Sequence, residues 1–300
     1  MATIGLIIRE DLEVCSDLAE KLNNWIDEND HNLILDQSAT KTVKKRKSYN
    51  HEKLCSKSDV IITFGGDGTL ISIARYAALK NIKLIGVNFG TLGFLTEITP
   101  NELIPVLDSV LNDEALFANR TMIKAVVVNS KNKKLFSSRA LNDIVIQKSS
   151  KQGLIDLDVF YNQEDVLRIR ADGLIISSPT GSTAYSLAAG GPIAYPSLPV
   201  VIITPICPHS LTNRPFILPI SGKTMIKIPK GQDKVTLSID GQVYHSLKSE
   251  DIIKISRAKN TIKFVKSPSK TYFEILRQKL NWGIANNNNK DWLTLKALYF

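Results

Sequence analysis

The sequence predicts an α/β first domain on a parallel sheet, followed by a β-rich, sandwich-like second domain and a C-terminal helix that returns to the first. Three observations predict this. Strand-like and helix-like segments alternate over the first third, short strands broken by Gly, Asn, Pro and Ser fill the middle, and helical periodicity returns near residue 271. "TIGLII" reads as the first strand. From Asp11 to about Asn29, Val14, Leu18, Leu22, Trp25 and Ile26 fall on one helical face. "NLIL" is a second strand, and a polar, basic connector leads to a third, "DVIITF". Leu70–Leu79 reads as a helix of mixed apolar character and "IKLIGVNF" as another strand, which implies a parallel sheet covered by helices. After "PNELIPVLDSVLND" come "MIKAVVVNS", "ALNDIVIQ", "LIDLDVFYN", "GLIISS", "VVIITPI", "MIKI", "KVTLSI" and "DIIKIS", all short strands. A boundary near Arg120 divides the chain into residues 1–120, 121–266 and a partly helical tail, 267–300. In that tail "TYFEILRQKLNW" places Phe273, Leu276 and Leu280 on one side, and four consecutive asparagines follow as a loose connector.

Length and composition narrow the function classes. Three hundred residues suit two domains, or one large one. No apolar run approaches the roughly 20 residues that span a bilayer, so no membrane association is expected. The N-terminus lacks a basic segment ahead of its short apolar run, unlike a secretory signal. Cys15, Cys55 and Cys207 are odd in number, far apart and without CxxC spacing, which suits a reducing compartment, here the cytoplasm. Lys and Arg outnumber Asp and Glu by 38 to 29, yet no helix-turn-helix, finger or RNP-like stretch accompanies the excess, so no nucleic-acid partner is expected. The one dense run, Lys41–Lys47, is expected to raise the potential near donor phosphates, and equally fits a solvated loop.

Two constellations carry chemistry. In "FGGDGT", Gly65, Gly66 and Gly68 let a ligand approach the main chain, and the free N–H groups of the following helix suit phosphoryl oxygens. The segment lacks the Lys-Ser/Thr pair of a Walker A loop and the GxGxxG dinucleotide fingerprint. A carboxylate among phosphates repels them, so Asp67 must serve otherwise, by holding Mg²⁺ or by accepting a proton from an attacking hydroxyl. The same pattern fits an Asp that caps the next helix. Thr69 can cap that helix or bond a phosphate.

The second constellation is "RADGLIISSPTGSTAYSLAAGGP", where a buried-looking strand runs into small hydroxyl residues and a short helix closed by Gly190-Gly191-Pro192. Its hydroxyls and the plane of Tyr185 suit a ribose, an amide or an adenine edge, and a well-capped Ser/Thr-rich loop would read the same way. Arg170 and Asp172 would share a strand face. Asn142 and Asp143 in "LND" are an amide and a carboxylate of the kind that meets a ribose diol. From the residues alone the chain is a small-molecule phosphotransferase or a nucleotide-binding protein.

"GGDGT", "NFGTLGFL", "LND", "DGLIISSPTGSTAYSLAAGGP", "PHSLTNRP" and "DGQ" together resemble the bacterial NAD kinases, from the first strand to about Trp282. GGDGT alone also occurs in diacylglycerol kinases, sphingosine kinases and phosphofructokinases; the "TGSTAY" segment makes the match specific. The resemblance implies transfer of the γ-phosphoryl of ATP, or a phosphoryl of polyphosphate, to the 2′-hydroxyl of the adenosine ribose of NAD. It implies a need for Mg²⁺ or another divalent ion, to which no dedicated protein ligand is assigned. It places Asp67 at that hydroxyl, Gly66, Gly68 and Thr69 at phosphates, Asn88 with the nucleotide contacts and Phe94 in the adenine pocket. Asn142 and Asp143 fall at the nucleotide and its ribose, Asp172 at the nicotinamide end, and Thr183, Ala184 and Tyr185 along the dinucleotide; Arg170, read from the residues as a partner of Asp172, would orient a ligand group there or form an ordinary surface pair. A homodimer or homotetramer is implied, with the β domain at the interface and a neighbouring subunit contributing to the NAD site.

The chain departs from the family pattern at Phe89, where an Arg is common, at Asp143, where a Glu is common, at Ala188, often a Ser, and in a tail beyond Trp282. Two other readings stay open: a related kinase acting on a lipid or sugar, and a catalytically silent NAD(P)-binding regulator.

Overall fold

The computed structural model describes residues 1–9, 13–90, 92–149, 153–232 and 234–282. The first lobe runs β1 (Thr3–Ile8), α1 (Ser16–Glu28), β2 (Asn32–Asp36), β3 (Ser48–Tyr49), α2 (His51–Lys57), β4 (Val60–Phe64), α3 (Asp67–Lys80), β5 (Lys83–Val87) and α4 (Leu103–Leu111). Its parallel strands lie in the order β3-β2-β1-β4-β5. The chain builds outward from β1 in one direction and resumes at β4 on the other side. The C-terminal ends of β1 and β4 therefore flank a switch point, where open α/β sheets leave a crevice for ligands. Ile4, Leu6, Ile8, Ile62 and Phe64 are buried, the continuous apolar pattern of strands covered on both faces. In α1 Leu22 and Ile26 are buried as their spacing predicts, but Val14 lies ahead of the helix, in a 3₁₀ turn, and is exposed. The first two residues of the expected helix, 11 and 12, are outside the described residues.

The second lobe contains β6 (Phe117–Val128), β7 (Lys134–Ala140), β8 (Asp143–Lys148), β9 (Ile155–Tyr161), β10 (Glu164–Ala171), β11 (Gly173–Ser177), α5 (Tyr185–Ala188), β12 (Val200–Ile206), β13 (Phe216–Pro219), β14 (Thr224–Lys227), β15 (Val235–Ile239), β16 (Val243–Leu247) and β17 (Ile252–Val265). An antiparallel six-stranded sheet, β13-β12-β11-β8-β15-β16, faces β10, β9, β14, β17, β6 and β7. One core joins the two layers: Ile123, Val127, Leu157 and Ile253 from one side pack with Ile146, Leu174, Ile203 and Leu237 from the other. That is a β-sandwich.

The sandwich is not appended to the first lobe. β17 pairs antiparallel with β6 and β14, and its C-terminal end, at Lys263 and Phe264, pairs parallel with β5. The parallel sheet thus continues into one sandwich layer. Arg120, where the composition changes, lies within β6 and is no linker. The tail turns back across the junction: Ser267 and Ser269 donate to Glu102, and Lys270 Nζ to the Glu97 carbonyl. It then forms α6 (Tyr272–Leu280), opened by a Thr271–Glu274 capping box. Ile275 and Leu276 are its buried pair, whereas Phe273 is half-exposed beside Tyr195. Residues 283–300, including the asparagine run, lie outside the described residues.

Because β17 belongs to both lobes, they are expected to unfold together. Phe264 is buried between β5 and β6, and Phe264→Ala should lower stability by about 3–5 kcal/mol. Denaturant curves followed by circular dichroism and by tryptophan fluorescence should coincide in both proteins; two separated transitions would contradict the shared-strand architecture.

Candidate active site

β4 delivers the chain to Gly65, whose φ of +152° disfavours any side chain. A Cβ there would also sit 2.5 Å from Thr69 Oγ1 and 3.2 Å from Arg9 Cβ. Gly66 is the N-cap of α3, without a side-chain bond, so Thr69 is not the cap: it lies in the first turn, its N–H 3.1 Å from the Gly66 carbonyl. A Cβ on Gly66 or Gly68 would meet no protein atom within 4 Å, so packing imposes no demand for glycine at either position.

Asp67 is the first residue of α3, and its carboxylate is not bare. Oδ1 accepts from the N–H groups of Leu95 and Thr96 at 3.1 and 3.0 Å and from Thr96 Oγ1 at 3.0 Å. Oδ2 accepts from Phe94 N–H at 2.8 Å. Charge-assisted bonds of this kind fix both the group and the loop that supplies them. Asn88 secures the same loop, donating from Nδ2 to Thr96 Oγ1 at 3.2 Å and accepting from Gly90 N–H at 2.7 Å. Gly93 lets the loop close: a Cβ there would collide with Asp67 Oδ1. The ring of Phe94 lies 5.9 Å from Lys279 Nζ of α6, so the tail also reaches this corner.

A second site lies on the sandwich. A cavity of about 330 Å³ is lined by residues that include Asn142, Asp143, Ala184, Tyr185, Asp240 and Tyr244. Asp240 organises it. Its carboxylate accepts from the N–H groups of Leu141, Asn142 and Asp143 at 2.9, 2.8 and 3.1 Å. Asp240 and Gly241 have φ of 51° and 64°, and Gln242 N–H bonds the Ile239 carbonyl, the tight turn that an Asp-Gly pair favours. The next residue joins the two sites: Gln242 Nε2 lies 3.4 Å from the Gly68 carbonyl, and its Oε1 lies 3.4 Å from a guanidinium nitrogen of Arg75 on α3.

The hydroxyls of "SSPTGST" mostly face inward. Ser177, Ser178, Ser182 and Ser186 are buried. Ser178 Oγ donates to the Leu141 carbonyl, Ser177 Oγ to the Asn142 carbonyl at 3.3 Å, and Ser186 pairs with Thr204 at 2.9 Å. They hold the turn that presents Asn142 and α5, and a Cβ at Gly181 would strike the Asn142 backbone. Thr183 Oγ1 donates to the Thr180 carbonyl at 3.3 Å, while Tyr185, 43% exposed, faces the cavity.

Arg170 and Asp172 are not brought to this cavity. β10 ends at Ala171 and β11 starts in the other sheet at Gly173, so the two side chains do not share a strand face. Neither lines the cavity, although its Gln147 end lies beside Asp172, because Gln147 pairs with Gly173 whereas Asp143, at the other end, pairs with Ser177. The basic run is elsewhere again. Arg46 binds Asp27 at 2.6 Å, and Lys45–Lys47 border a cavity at the N-terminal ends of β1 and β2. This end of the sheet is opposite Asp67, which removes the expectation of steering near the donor phosphates. Gly93, Thr96, Arg75, Asp240 and Gln242 are the structural contributors that sequence reasoning left without roles.

Burial pushes the Asp143 carboxyl up to about 7, and the Asp240 charge adds to the rise. Burial also raises Asp240, to about 6, against the pull of its three backbone N–H donors and Arg75. Those donors hold the anion on Asp240, so Asp143 is the proton carrier of the pair. The folded state then binds the Asp143 proton more tightly than the unfolded state. Stability from this group is fully present at low pH and declines as pH rises from about 4 to about 7, by at most about 1.4 kcal/mol per pH unit. Asp143→Asn should flatten the decline and raise the melting temperature at pH 8; an unchanged pH–stability curve in melting experiments from pH 4 to 8 would contradict this.

The family profiles described as "ATP-NAD kinase N-terminal domain" and "ATP-NAD kinase C-terminal domain" match residues 4–115 and 141–267. The chain is 41% identical over 270 residues to the NAD kinase of Trichlorobacter lovleyi, covering 90% of this chain and 94% of that one. It is 44% identical over 238 residues to that of Syntrophotalea carbinolica, covering 79% and 82%. The crystal structure of yeast NADH kinase complexed with NADH superposes with a TM-score of 0.86 at 25% identity, covering 97% of this chain and 90% of that one. An NAD kinase from Archaeoglobus fulgidus in complex with ATP shares the fold, with a TM-score of 0.73 at 22% identity and coverage of 92% and 99%. These matches span both lobes and both sites, and the chain belongs to the NAD kinase family, the ATP-dependent phosphotransferases that make NADP from NAD.

Proposed function

We propose that phosphoryl transfer from the γ-position of ATP to the 2′-hydroxyl of the adenosine ribose of NAD runs at Asp67. The observation that carries this is the asymmetry of its carboxylate. Oδ1 has three donors and Oδ2 one, Phe94 N–H, so Oδ2 keeps a lone pair for a hydroxyl. A ribose hydroxyl is too weak an acid to lose its proton to a carboxylate in the ground state. Asp67 therefore orients it and takes the proton late, as the bond to phosphorus forms, and positioning contributes most of the rate. The phosphates are assigned to the first turn of α3, at Gly66, Gly68 and Thr69, where the backbone is open and the helix dipole favours anions. Phe94 and Asn88 are assigned to the nucleotide beside it.

We assign NAD to the sandwich cavity, with Asn142 and Asp143 at the ribose and Thr183, Ala184 and Tyr185 along the dinucleotide. Asp172 and Arg170, which do not line that cavity in one chain, are assigned to the nicotinamide end of a neighbouring subunit's site, which requires self-association. Exposed Leu198, Leu211 and Ile217 on the sandwich support such a contact. The divalent ion is assigned to the substrate, entering on the ATP phosphates. Asp67 already accepts four hydrogen bonds, and among the described residues no group of three His, Cys, Asp or Glu can hold a metal. Among the described residues no helix is long and apolar enough to cross a membrane, consistent with a cytoplasmic assignment.

Asp67→Asn should keep NAD binding by calorimetry and lose about 10²–10⁴ in kcat for NADP formation. A folded variant with kcat within about threefold of wild type would remove Asp67 from the reaction.

Tyr185→Ala should weaken NAD binding by about 1–3 kcal/mol, leaving ATP affinity and melting temperature nearly unchanged. Its partial exposure decides against a core role. A drop of several degrees in melting temperature with both substrates affected together would contradict this assignment.

A further inference from the structure

Away from both sites, a cavity of about 660 Å³ lies between the exposed edge of β2, the Lys45–Lys47 segment and α2. Four of its ten lining residues are cationic, Lys45, Arg46, Lys47 and Lys57, and none is acidic. Arg46 is immobilised: its guanidinium bonds both oxygens of Asp27 at 2.6 Å and Asn23 Oδ1 at 3.0 Å. That pins the segment carrying Lys45 and Lys47. Lys45 is held at φ +64°, a conformation that a side chain other than Gly, Asn or Asp adopts at a cost. Lys53 and Lys57, one turn apart on α2, both lie over the Tyr49 ring, at 5.4 and 5.6 Å. Among the described residues no carboxylate is within ion-pair distance of Lys45, Lys47 or Lys57. The nearby acids are engaged otherwise, Asp27 by Arg46 and Asp59 by the Thr3 N–H at 2.8 Å. Unpaired like charges around a concave wall repel one another, and a bound anion would relieve that repulsion in a field the concavity focuses.

We propose that this cavity is a second anion site, one that takes a chain of linked phosphates such as a nucleoside triphosphate or inorganic tripolyphosphate carries. The ammonium groups of Lys45, Lys47 and Lys57 suit successive phosphates. The site is distinct from the Asp67 corner. Thr3 and Asn32 begin β1 and β2, whereas Asp67 follows the far end of β4, about 16 Å along the sheet at roughly 3.3 Å per residue. The concave wall and flanking Asp27 and Asp59 favour a compact ligand over the extended basic stripe that a duplex requires.

The test is residue-resolved lysine acylation of the full chain, read by mass spectrometry with and without inorganic tripolyphosphate. Saturating tripolyphosphate should slow acylation of Lys45, Lys47 and Lys57 together by about tenfold or more, leaving the exposed Lys21 and Lys80 unchanged. ATP that protects equally assigns recognition to the phosphate chain alone, and ATP that protects where tripolyphosphate does not assigns it to a nucleotide. Equal protection of all exposed lysines, protection by duplex DNA only, or none, overturns the proposal. Replacing Lys45, Lys47 and Lys57 together by Gln should remove one tripolyphosphate-binding event from a calorimetric titration while kcat and KM for ATP and NAD stay within about twofold. An unchanged titration overturns it as well.

Discussion

The arrangement depends on one constraint: a carboxylate at the start of a helix is held by the backbone of a loop that follows a different strand. Asp67 enters from β4, and the Phe94, Leu95 and Thr96 N–H groups that hold it come from the chain after β5. Neither partner places the other by local sequence. The neighbouring parallel strands bring them together, and Gly93 leaves room for contact. The bonds leave one oxygen available on the side where the first turn of α3 opens, so a rigid acceptor and a ready anion site share one corner.

The sandwich repeats the device. Asp240, carried on a tight turn, holds the three backbone N–H groups from Leu141 to Asp143 much as the loop after β5 holds Asp67. Gln242 then reaches from that turn to Gly68 and Arg75. The sandwich cavity and the Asp67 corner are therefore connected through two residues of one hairpin, and β17 ties the sheets beneath them. Phosphoryl transfer between two bound nucleotides needs this kind of fixed separation, because misplacement by an ångström erodes the advantage of holding both.

Much of this was legible in the sequence. β1, β2, β4 and β5 of the parallel sheet announced themselves because they are buried on both faces, and the GGDGT and TGSTAY segments pointed to the two places proposed as sites. β7, β10, β13 and β16 were missed because they are short or half-exposed, with burial patterns too broken to separate from loop. The hydroxyls after β11 left two readings open, since a Ser side chain bonding a neighbouring carbonyl has the same sequence as one facing a ribose. Arg170 and Asp172 looked like a pair because alternation within one strand was assumed, and the chain changes sheets between them. The Asp67 and Asp240 bonds were invisible for a simpler reason: their donors are main-chain N–H groups, which every sequence supplies.

The central claim is that loop-held placement of the Asp67 carboxylate, and not merely its presence, makes the corner catalytic. Gly93→Ala tests it most directly, because Gly93 is not in the left-handed region and its new Cβ would meet Asp67 Oδ1 first. Steady-state NADP formation should fall by about a hundredfold or more in kcat, with the chain folded and NAD still bound by calorimetry. A folded Gly93→Ala protein that retained kcat within about threefold of wild type would contradict the account.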